Sequence, residues 1–280
     1  MRWQLELTSE HPLPVAEHAG SMLRGVLGHG LLHHACRCGT PAHAPDCRYL
    51  QLFEPVAPPD WPARYRDCPP PFVITPPREG IGGHRAVFSL TLLGPALAHE
   101  ALMLDALAHG LATGLGPART PCRLRTTSRE TALSAPTGDS LALRVTSPLL
   151  LKRRHAANGR WLTASELTPE DFLLALQRRL DITHQRYGSP AARLLPTTTL
   201  PDLAAGLHLQ TALQATHYTR RSSRQGRTMP LHGVTGLITL SGHLPDTLRH
   251  ALRFGEWLHL GGKTALGMGA YQIEESAAHD

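Results

Sequence analysis

The sequence predicts an α+β protein made of two tandem ferredoxin-like domains, each with the element order βαββαβ. The chain has 280 residues, which is enough for two domains of ~140, and its hydrophobic content of 41% supports a core. A similar succession of strand-like and helix-like patterns occurs once in each half. We therefore expect domains at 1–142 and 143–280, the first with a Pro/Cys-rich insertion and the second with a Gly-rich loop.

The first half supplies strand, helix, strand, helix and strand patterns. Apolar residues recur at every second position in the strands and along one stripe of the first helix. A Pro/Cys-rich stretch at 36–80 follows that helix and is predicted to be irregular. The segments are the strand with Trp3, Leu5 and Leu7, the helix at 15–35, the strand at 86–94, the helix within 96–116 and the strand-like 121–130.

The second half repeats this order. Thr168 is the expected N-cap of its first helix, with Asp171 three residues later in a weaker relative of the capping box. A second helix begins after Pro245. The remaining segments are the strand at 140–152, the helix at 168–188, the strands at 207–222 and 230–244, and a last strand at 269–275.

Arginine dominates the positive charge of the sequence. The formal net charge is +6 with 18 histidines counted neutral, the pI is about 9.4, and the lysines are Lys152 and Lys263. Guanidinium groups favour bidentate contacts with phosphates and bases, so the balance indicates nucleic acid or another anionic partner. Codon usage in a GC-rich genome is an alternative explanation for the scarcity of lysine.

The sequence carries no pattern for export or membrane insertion. Its first residues alternate as in a strand and lack the apolar region of a signal peptide. Uncharged apolar runs stay below the ~18 residues of a membrane-spanning helix. The odd number of cysteines, five, fits a reducing compartment. We expect a cytoplasmic protein without a membrane partner.

The first predicted helix carries the histidines best placed for proton transfer. Helical spacing puts His34 on the leucine face, where it is expected to pack or cap, and puts His29 and His33 on the other face, one turn apart. Histidine moves protons near neutral pH, so His29 and His33 are candidate catalytic residues. The alternative is that both are ordinary solvated side chains.

Three cysteines after this helix suggest a different chemistry. Cys36, Cys38 and Cys47, with histidines nearby, could bind zinc in a nucleic-acid regulator of another class. Their spacing is not that of a standard zinc knuckle, and no second CxxC accompanies them. The competing interpretation, half-buried thiols in a loop, leads us to expect no metal.

Two basic segments and one glycine-rich loop are candidates for phosphate contact. Glycine loops can present backbone N–H groups to an anion, although a Gly-rich bulge between strands explains the same pattern. Solvated basic loops are likewise an alternative for the arginines. The residues are Lys152 and Arg153, then Arg220, Arg221, Arg224 and Arg227, and finally Gly261, Gly262, Lys263 and Gly267.

Four segments together resemble a known family. LRGVLGH (23–29), LFEP (52–55), SSRQGR (222–227) and the closing segment 255–271 occur in the order seen in the CRISPR-associated endoribonucleases that process precursor CRISPR RNA. That family belongs to the RAMP superfamily of tandem ferredoxin-like domains with a C-terminal Gly-rich loop. A variant from type IV CRISPR systems is a second assignment within the resemblance.

The resemblance implies cleavage of CRISPR repeat RNA without a metal or other cofactor. The 2′-OH attacks the adjacent phosphorus, leaves a 2′,3′-cyclic phosphate, and the mature crRNA stays bound. The implied partners are a repeat stem-loop, the crRNA and subunits of a CRISPR effector complex. A non-catalytic crRNA-binding RAMP subunit is the alternative.

The resemblance also implies roles for particular residues. The motif match points to His29 as the catalytic histidine, whereas proximity to the glycine loop favours His33 or His34. Arg24 is the third catalytic candidate and would neutralise phosphate charge, as would Lys263. Where family members lack a catalytic histidine, Arg24 and Arg37 are the replacements. The residues implied to hold RNA are Arg37, Lys152, Arg153, Tyr218, Arg220, Arg221, Arg224, Arg227, Gly261, Gly262, Lys263 and Gly267.

Overall fold

The computed structural model describes residues 1–39, 42–61, 68–151, 162–163, 165–188, 194–221 and 228–274. The chain divides into two compact units. Unit 1 comprises Met1–Ala132 with Gln185–Gly188 and Ala265–Gly267, and unit 2 comprises Leu133–His184, Ser189–Thr264 and Met268–Asp280. The main division falls after Ala132, ten residues before the predicted boundary, which lies within a strand that begins at Ser140.

Unit 1 contains one four-stranded antiparallel sheet with the order β2-β3-β1-β4. Two longer helices, α1 and α3, connect its strands in the succession βαββαβ. A short helix, α2, lies between α1 and β2. The elements are β1 (Arg2–Thr8), α1 (Gly20–Ala35), α2 (Arg48–Phe53), β2 (Phe72–Thr75), β3 (Arg85–Leu92), α3 (Glu100–Thr113) and β4 (Arg123–Glu130).

The alternation in β1 separates core from surface in unit 1. Leu5 and Leu7 are fully buried, as period-two patterning requires. Glu6 points to the other face, where its carboxylate accepts a hydrogen bond from Arg85 of β3 at 2.6 Å. β1 therefore joins a leucine core on one side to a polar surface on the other.

Glycines let α1 and α3 approach each other closely. A Cβ built on Gly30 of α1 would lie 1.7 Å from the carbonyl oxygen of Ala106 in α3. One built on Gly110 of α3 would lie 2.2 Å from the carbonyl oxygen of Val26 in α1. The two backbones touch at this crossing, so side chains that flank it on both helices are brought together.

Unit 2 repeats the arrangement with a sheet of order β6-β7-β5-β8. Its main helices are α4 and α6, and a short helix, α5, precedes the β6–β7 hairpin. The elements are β5 (Ser140–Leu149), α4 (Pro169–Tyr187), α5 (Leu200–Gly206), β6 (Leu207–Arg221), β7 (Thr228–Gly242), α6 (Asp246–Leu258) and β8 (Tyr271–Glu274).

The predicted fold class is confirmed, since both halves form βαββαβ units with antiparallel sheets. The predicted N-cap is also confirmed, because the N–H of Asp171 donates to Thr168 Oγ1 at 3.2 Å. Three details of the prediction were wrong. The first helix starts at Gly20 rather than at residue 15, the stretch 36–80 contains α2 and β2, and α5 was not predicted.

These errors share a physical cause. β2 spans four fully buried residues between prolines, which is too short to show a periodic pattern. α2 and α5, with six and seven residues, are shorter than a helix whose apolar period can be recognised.

Among the described residues, no helix combines the length and the apolar character needed to cross a membrane.

Candidate functional site

Four imidazoles gather on one exposed face of unit 1. His29 and His33 are exposed on α1, as predicted, and α3 contributes the half-exposed His109. The rings of His33 and His109 are stacked, with centroids 4.1 Å apart and an interplanar angle of 7°. The centroids of His29 and His109 lie 6.3 Å apart. The close glycine crossing of α1 and α3 explains why imidazoles from both helices meet here.

His34 also belongs to this group, which corrects one expectation. It was expected to pack on the leucine face or to cap the helix, but its side chain is exposed. Its ring centroid lies 4.9 Å from those of both His33 and His109, edge to face in each case. His34 sits in the last turn of α1, three residues beyond Leu31, the last buried residue of that helix.

His109 was not among the residues predicted from the sequence. The residue stands in a correctly predicted helix, but a helical pattern does not show which helix lies opposite. The available signal was the small residues Gly30 and Gly110, which mark a close helix crossing. We call the surface formed by His29, His33, His34 and His109 the histidine face.

The surroundings of His109 favour its neutral form. Its pKa lies below the ordinary value for histidine, because desolvation and then the nearby His33, His34 and His29 disfavour the imidazolium. A neutral imidazole has one nitrogen that accepts a proton. The histidine face therefore holds one imidazole whose surroundings favour its neutral form, close to further imidazoles, and acid–base chemistry uses groups of this kind.

Arg24 does not join the histidine face. At 100° per residue, it is separated around α1 by about 140° from His29 and about 180° from His33. Its guanidinium lies over the ring of Phe53 in α2, 4.0 Å from the centroid, and Nη2 donates to the Phe53 carbonyl oxygen at 3.2 Å. Arg37, by contrast, is exposed just beyond the end of α1.

The predicted cysteine group is compact and includes a histidine. The sulfurs of Cys36, Cys38 and Cys47 and a ring nitrogen of His43 all lie within 4.8 Å of one another. All five cysteines of the chain are free thiols. The group joins the end of α1 to the start of α2 and is named the Cys₃His cluster below.

The glycine-rich loop owes most of its glycines to contacts inside the protein. Gly261, Gly267 and Gly269 have φ of +77°, +79° and +73°, a region that favours glycine. A Cβ on Gly261 would lie 2.3 Å from the Leu150 carbonyl oxygen. The N–H of Gly262 already donates to that same oxygen at 2.8 Å. Gly267 is buried, and its contact with RNA stays a prediction.

Lys263 is the exposed member of this loop and adopts an uncommon conformation. Its φ of +60° lies in the left-handed region, which costs a residue with a Cβ roughly 1–2 kcal/mol. Its ammonium nitrogen lies 3.4 Å from the Met229 sulfur in β7. The positive φ of a residue with a Cβ motivates the hypothesis that the charge of Lys263 is used at this position.

The β6–β7 hairpin extends beyond the rest of the sheet in unit 2. Pairing of β5 with β7 ends at Leu149–Val234, whereas pairing of β6 with β7 continues to Arg221–Thr228. Residues 216–221 and 228–233 therefore form a two-stranded arm. Tyr218 is half-buried on this arm, and His217 and His232 face each other across it with Nδ1 atoms 2.6 Å apart.

The arm brings several predicted RNA-binding residues near Lys263. Arg220 pairs in register with Met229, the residue that Lys263 touches, and Arg221 pairs with Thr228, the residue before Met229. The loop lysine and the arginine-bearing strand end thus share one end of unit 2. The predicted residues Lys152, Arg153, Arg224 and Arg227 lie outside the described residues.

The two βαββαβ units define a class, the tandem ferredoxin-like proteins, and solved structures of the same arrangement exist. A Cas6 product complex matches with a TM-score of 0.61 at 19% identity, over 98% of this chain and 99% of the other. Cas6 from Thermus thermophilus matches at 0.54 and 17%, over 98% of each chain. A Cas6-related protein from Pyrococcus furiosus matches at 0.54 and 13%, over 99% and 100%.

Family models cover almost the whole chain. A model described as an N-terminal domain matches residues 1–145, and the model of the CRISPR-associated endoribonuclease Cas6 matches residues 143–271. No curated protein matches the sequence. The resemblance to the CRISPR-associated Cas6 endoribonucleases that the motifs predicted is therefore confirmed for the second half of the chain, which the Cas6 family model matches.

Proposed function

We propose that this protein cleaves CRISPR repeat RNA by attack of a ribose 2′-OH on the adjacent phosphorus, and that it keeps the mature crRNA. The match of residues 143–271 to the model of an endoribonuclease family supplies the reaction class. The observation that carries the mechanism is the histidine face, where exposed imidazoles from two helices lie within stacking distance.

The reaction needs one group to remove a proton and another to donate one. The base takes the 2′-OH proton as that oxygen bonds to phosphorus, and the acid protonates the 5′-oxygen as its bond to phosphorus breaks. The products are a 2′,3′-cyclic phosphate and a free 5′-OH, and no co-reactant is consumed. His29 and His33 are the proposed acid and base, with His109 as the neighbouring imidazole whose lowered pKa favours the neutral form.

Cations contribute by neutralising the phosphate charge that grows in the transition state. The position of Arg24 against Phe53, on the other side of α1, argues against placing it with His33 around one phosphorus. We therefore assign scission to the histidine face and keep the catalytic role of Arg24 as a separate prediction. Arg37 remains the replacement cation, since it is exposed.

RNA retention is assigned to the arm and to Lys263. Arginine and lysine side chains hold RNA mainly through phosphates, because the deep major groove of an A-form stem hides the base edges. Lys263 lies beside the strand end that carries Arg220 and Arg221. Lys152, Arg153, Arg224 and Arg227 are proposed to add phosphate contacts, and Tyr218 to stack on an unpaired base.

The mechanism is tested on a repeat RNA with a single 2′-deoxy nucleotide before the cut. We expect cleavage of the all-ribose repeat, a 2′,3′-cyclic phosphate on the upstream product, and no cleavage of the deoxy substrate, which should still bind. The reaction is run with EDTA, and the metal content of the protein is measured in the same sample. Cleavage of the deoxy substrate would refute attack by the 2′-OH.

The alternative is a non-catalytic RAMP subunit that binds crRNA within an effector complex. Intact repeat RNA together with tight binding would favour it over the proposal. Solved relatives described as a Cas6-RT-Cas1–Cas2 complex show the matched fold inside a larger assembly, which supports a search for effector partners. The type IV assignment stays a prediction, and the neighbouring CRISPR genes test it.

A further inference from the structure

We propose that the Cys₃His cluster binds a structural zinc ion, with Cys36, Cys38, His43 and Cys47 as its four ligands. Structural zinc sites are four-coordinate and tetrahedral, and Cys₃His is one of their usual ligand sets. His43 supplies the fourth ligand that the three cysteines alone do not provide. The proposal is independent of whether the protein cleaves RNA.

The interatomic distances fit a tetrahedral zinc site. Bond lengths of ~2.3 Å for Zn–S and ~2.0–2.1 Å for Zn–N place a sulfur and a nitrogen ~3.6 Å apart at tetrahedral angles. His43 Nδ1 lies 3.3 Å from Cys36 Sγ and 3.8 Å from Cys47 Sγ, on either side of that value. All four ligand atoms lie within 4.8 Å of one another, so small rotations can close the set around one ion.

Atoms around the cluster already hold the ligands in place. The Ala44 N–H donates to Cys38 Sγ at 3.5 Å, a contact that orients the sulfur and would stabilise a thiolate. The Cys47 N–H donates to the Ala44 carbonyl oxygen at 2.9 Å, which closes the turn between His43 and Cys47. The His43 ring packs 4.8 Å from that of Tyr49. This support resembles the outer shell of a metal site.

The position of the cluster explains what a zinc ion would do here. Cys36 and Cys38 follow α1, and Cys47 immediately precedes α2, so the ion would join the two helices across a proline-containing loop. α2 is only six residues long and would be marginal alone. Phe53 at its end supports Arg24 of α1. The zinc site would therefore order α2 and fix the Arg24 side chain.

A second group of possible ligand atoms could bind zinc instead, so an experiment must distinguish the two sites. The nitrogens of His33, His34 and His109 also lie within 4.8 Å of one another. That group offers three imidazoles, two of them exposed, whereas the Cys₃His cluster offers three thiolates and an imidazole in a complete set. Thiolates are preferred by zinc in structural sites, so the Cys₃His cluster should fill first.

The test is metal analysis of the untagged full-length protein, purified with zinc and without chelator. The wild type should contain about one zinc per chain. C38S and H43A should each contain none. The controls are C68S, which removes a half-buried cysteine outside the cluster, and the double variant H33A/H109A, which removes the competing imidazoles; both should keep the zinc.

Cobalt substitution gives a measurement that needs no variant. Co²⁺ in place of zinc should show thiolate-to-metal charge transfer and the strong d–d bands of a tetrahedral site. The proposal would be overturned by wild-type protein that contains no zinc, or by cobalt bands without thiolate charge transfer. A disulfide among these cysteines in protein purified under reducing conditions would overturn it too. Zinc that stays in C38S and H43A but leaves H33A/H109A would overturn it as well.

Discussion

Two glycines on α1 provide a matched pair for testing how the histidine face is built. Gly25 is exposed, and a Cβ built on it has nothing within 4 Å. Gly30 is buried at the α1–α3 crossing, where a Cβ would lie 1.7 Å from the Ala106 carbonyl oxygen. G25A and G30A thus make the same chemical change on the same helix in opposite surroundings.

The expected effects have opposite signs. Glycine to alanine in a helix without a clash stabilises by about 0.4–1 kcal/mol, so G25A should raise the free energy of unfolding by that amount. In G30A, ordinary contact begins at 3.4 Å, so α3 must withdraw by about 1.7 Å from the new Cβ. Overpacking of this kind costs about 1–3 kcal/mol, which exceeds the gain in helix propensity.

Thermal unfolding followed by circular dichroism measures both variants beside the wild type. Each 1 kcal/mol should shift Tm by about 2–4 °C for a unit of this size, upward for G25A and downward for G30A. The withdrawal of α3 should also separate the stacked rings of His33 and His109. A G30A protein as stable as G25A would show that the helices do not touch at this crossing.

Three further outcomes follow from individual contacts. K263G should raise the free energy of unfolding by about 1 kcal/mol or less, because glycine relieves the positive φ. The same variant should reduce the slope of log K for RNA binding against log[salt] by about 0.7–0.9, and an unchanged slope would show that Lys263 contacts no phosphate. The folded-state pKa of His109 is lowered, so the unfolded chain binds more protons than the folded chain as the pH falls from about 6.5 through the folded-state pKa. Acidification through this window should therefore destabilise the wild type more than H109Q, and equal slopes of stability against pH would contradict this. T168A should lose about 1 kcal/mol of stability in urea denaturation, and no change would show that the Asp171 N–H is satisfied equally well by water.

Residues whose role depends on local sequence were predicted well. The strand alternation at Leu5 and Leu7 and the N-cap at Thr168 follow from rules that act over a few neighbouring residues, and the structure has both. Segments without room for a period, such as β2 and α2, could not be recognised in the same way. Their positions are fixed by partners distant in the chain, for example the pairing of Ile74 with Leu90.

The residues of the candidate site also divide into those that local sequence predicts and those that contacts distant in the chain bring into place. His29 and His33 follow from the helical period, but His109 enters through the contact of α1 with α3, which no period reports. Arg24 stands five residues before His29 in the motif, yet its place is decided by Phe53 on α2. His43 completes the Cys₃His cluster because the loop after α1 folds back, a geometry that spacing alone does not provide.

The histidine face is tested most directly by single-turnover cleavage of the repeat RNA by H29A and H33A, with RNA affinity measured in parallel. Loss of an acid or base should slow cleavage by about 10²–10⁴-fold in at least one variant while the affinity changes little. H11A removes an exposed histidine of unit 1 outside the face and should cleave at the wild-type rate. Wild-type rates in both H29A and H33A would contradict the assignment of scission to the histidine face.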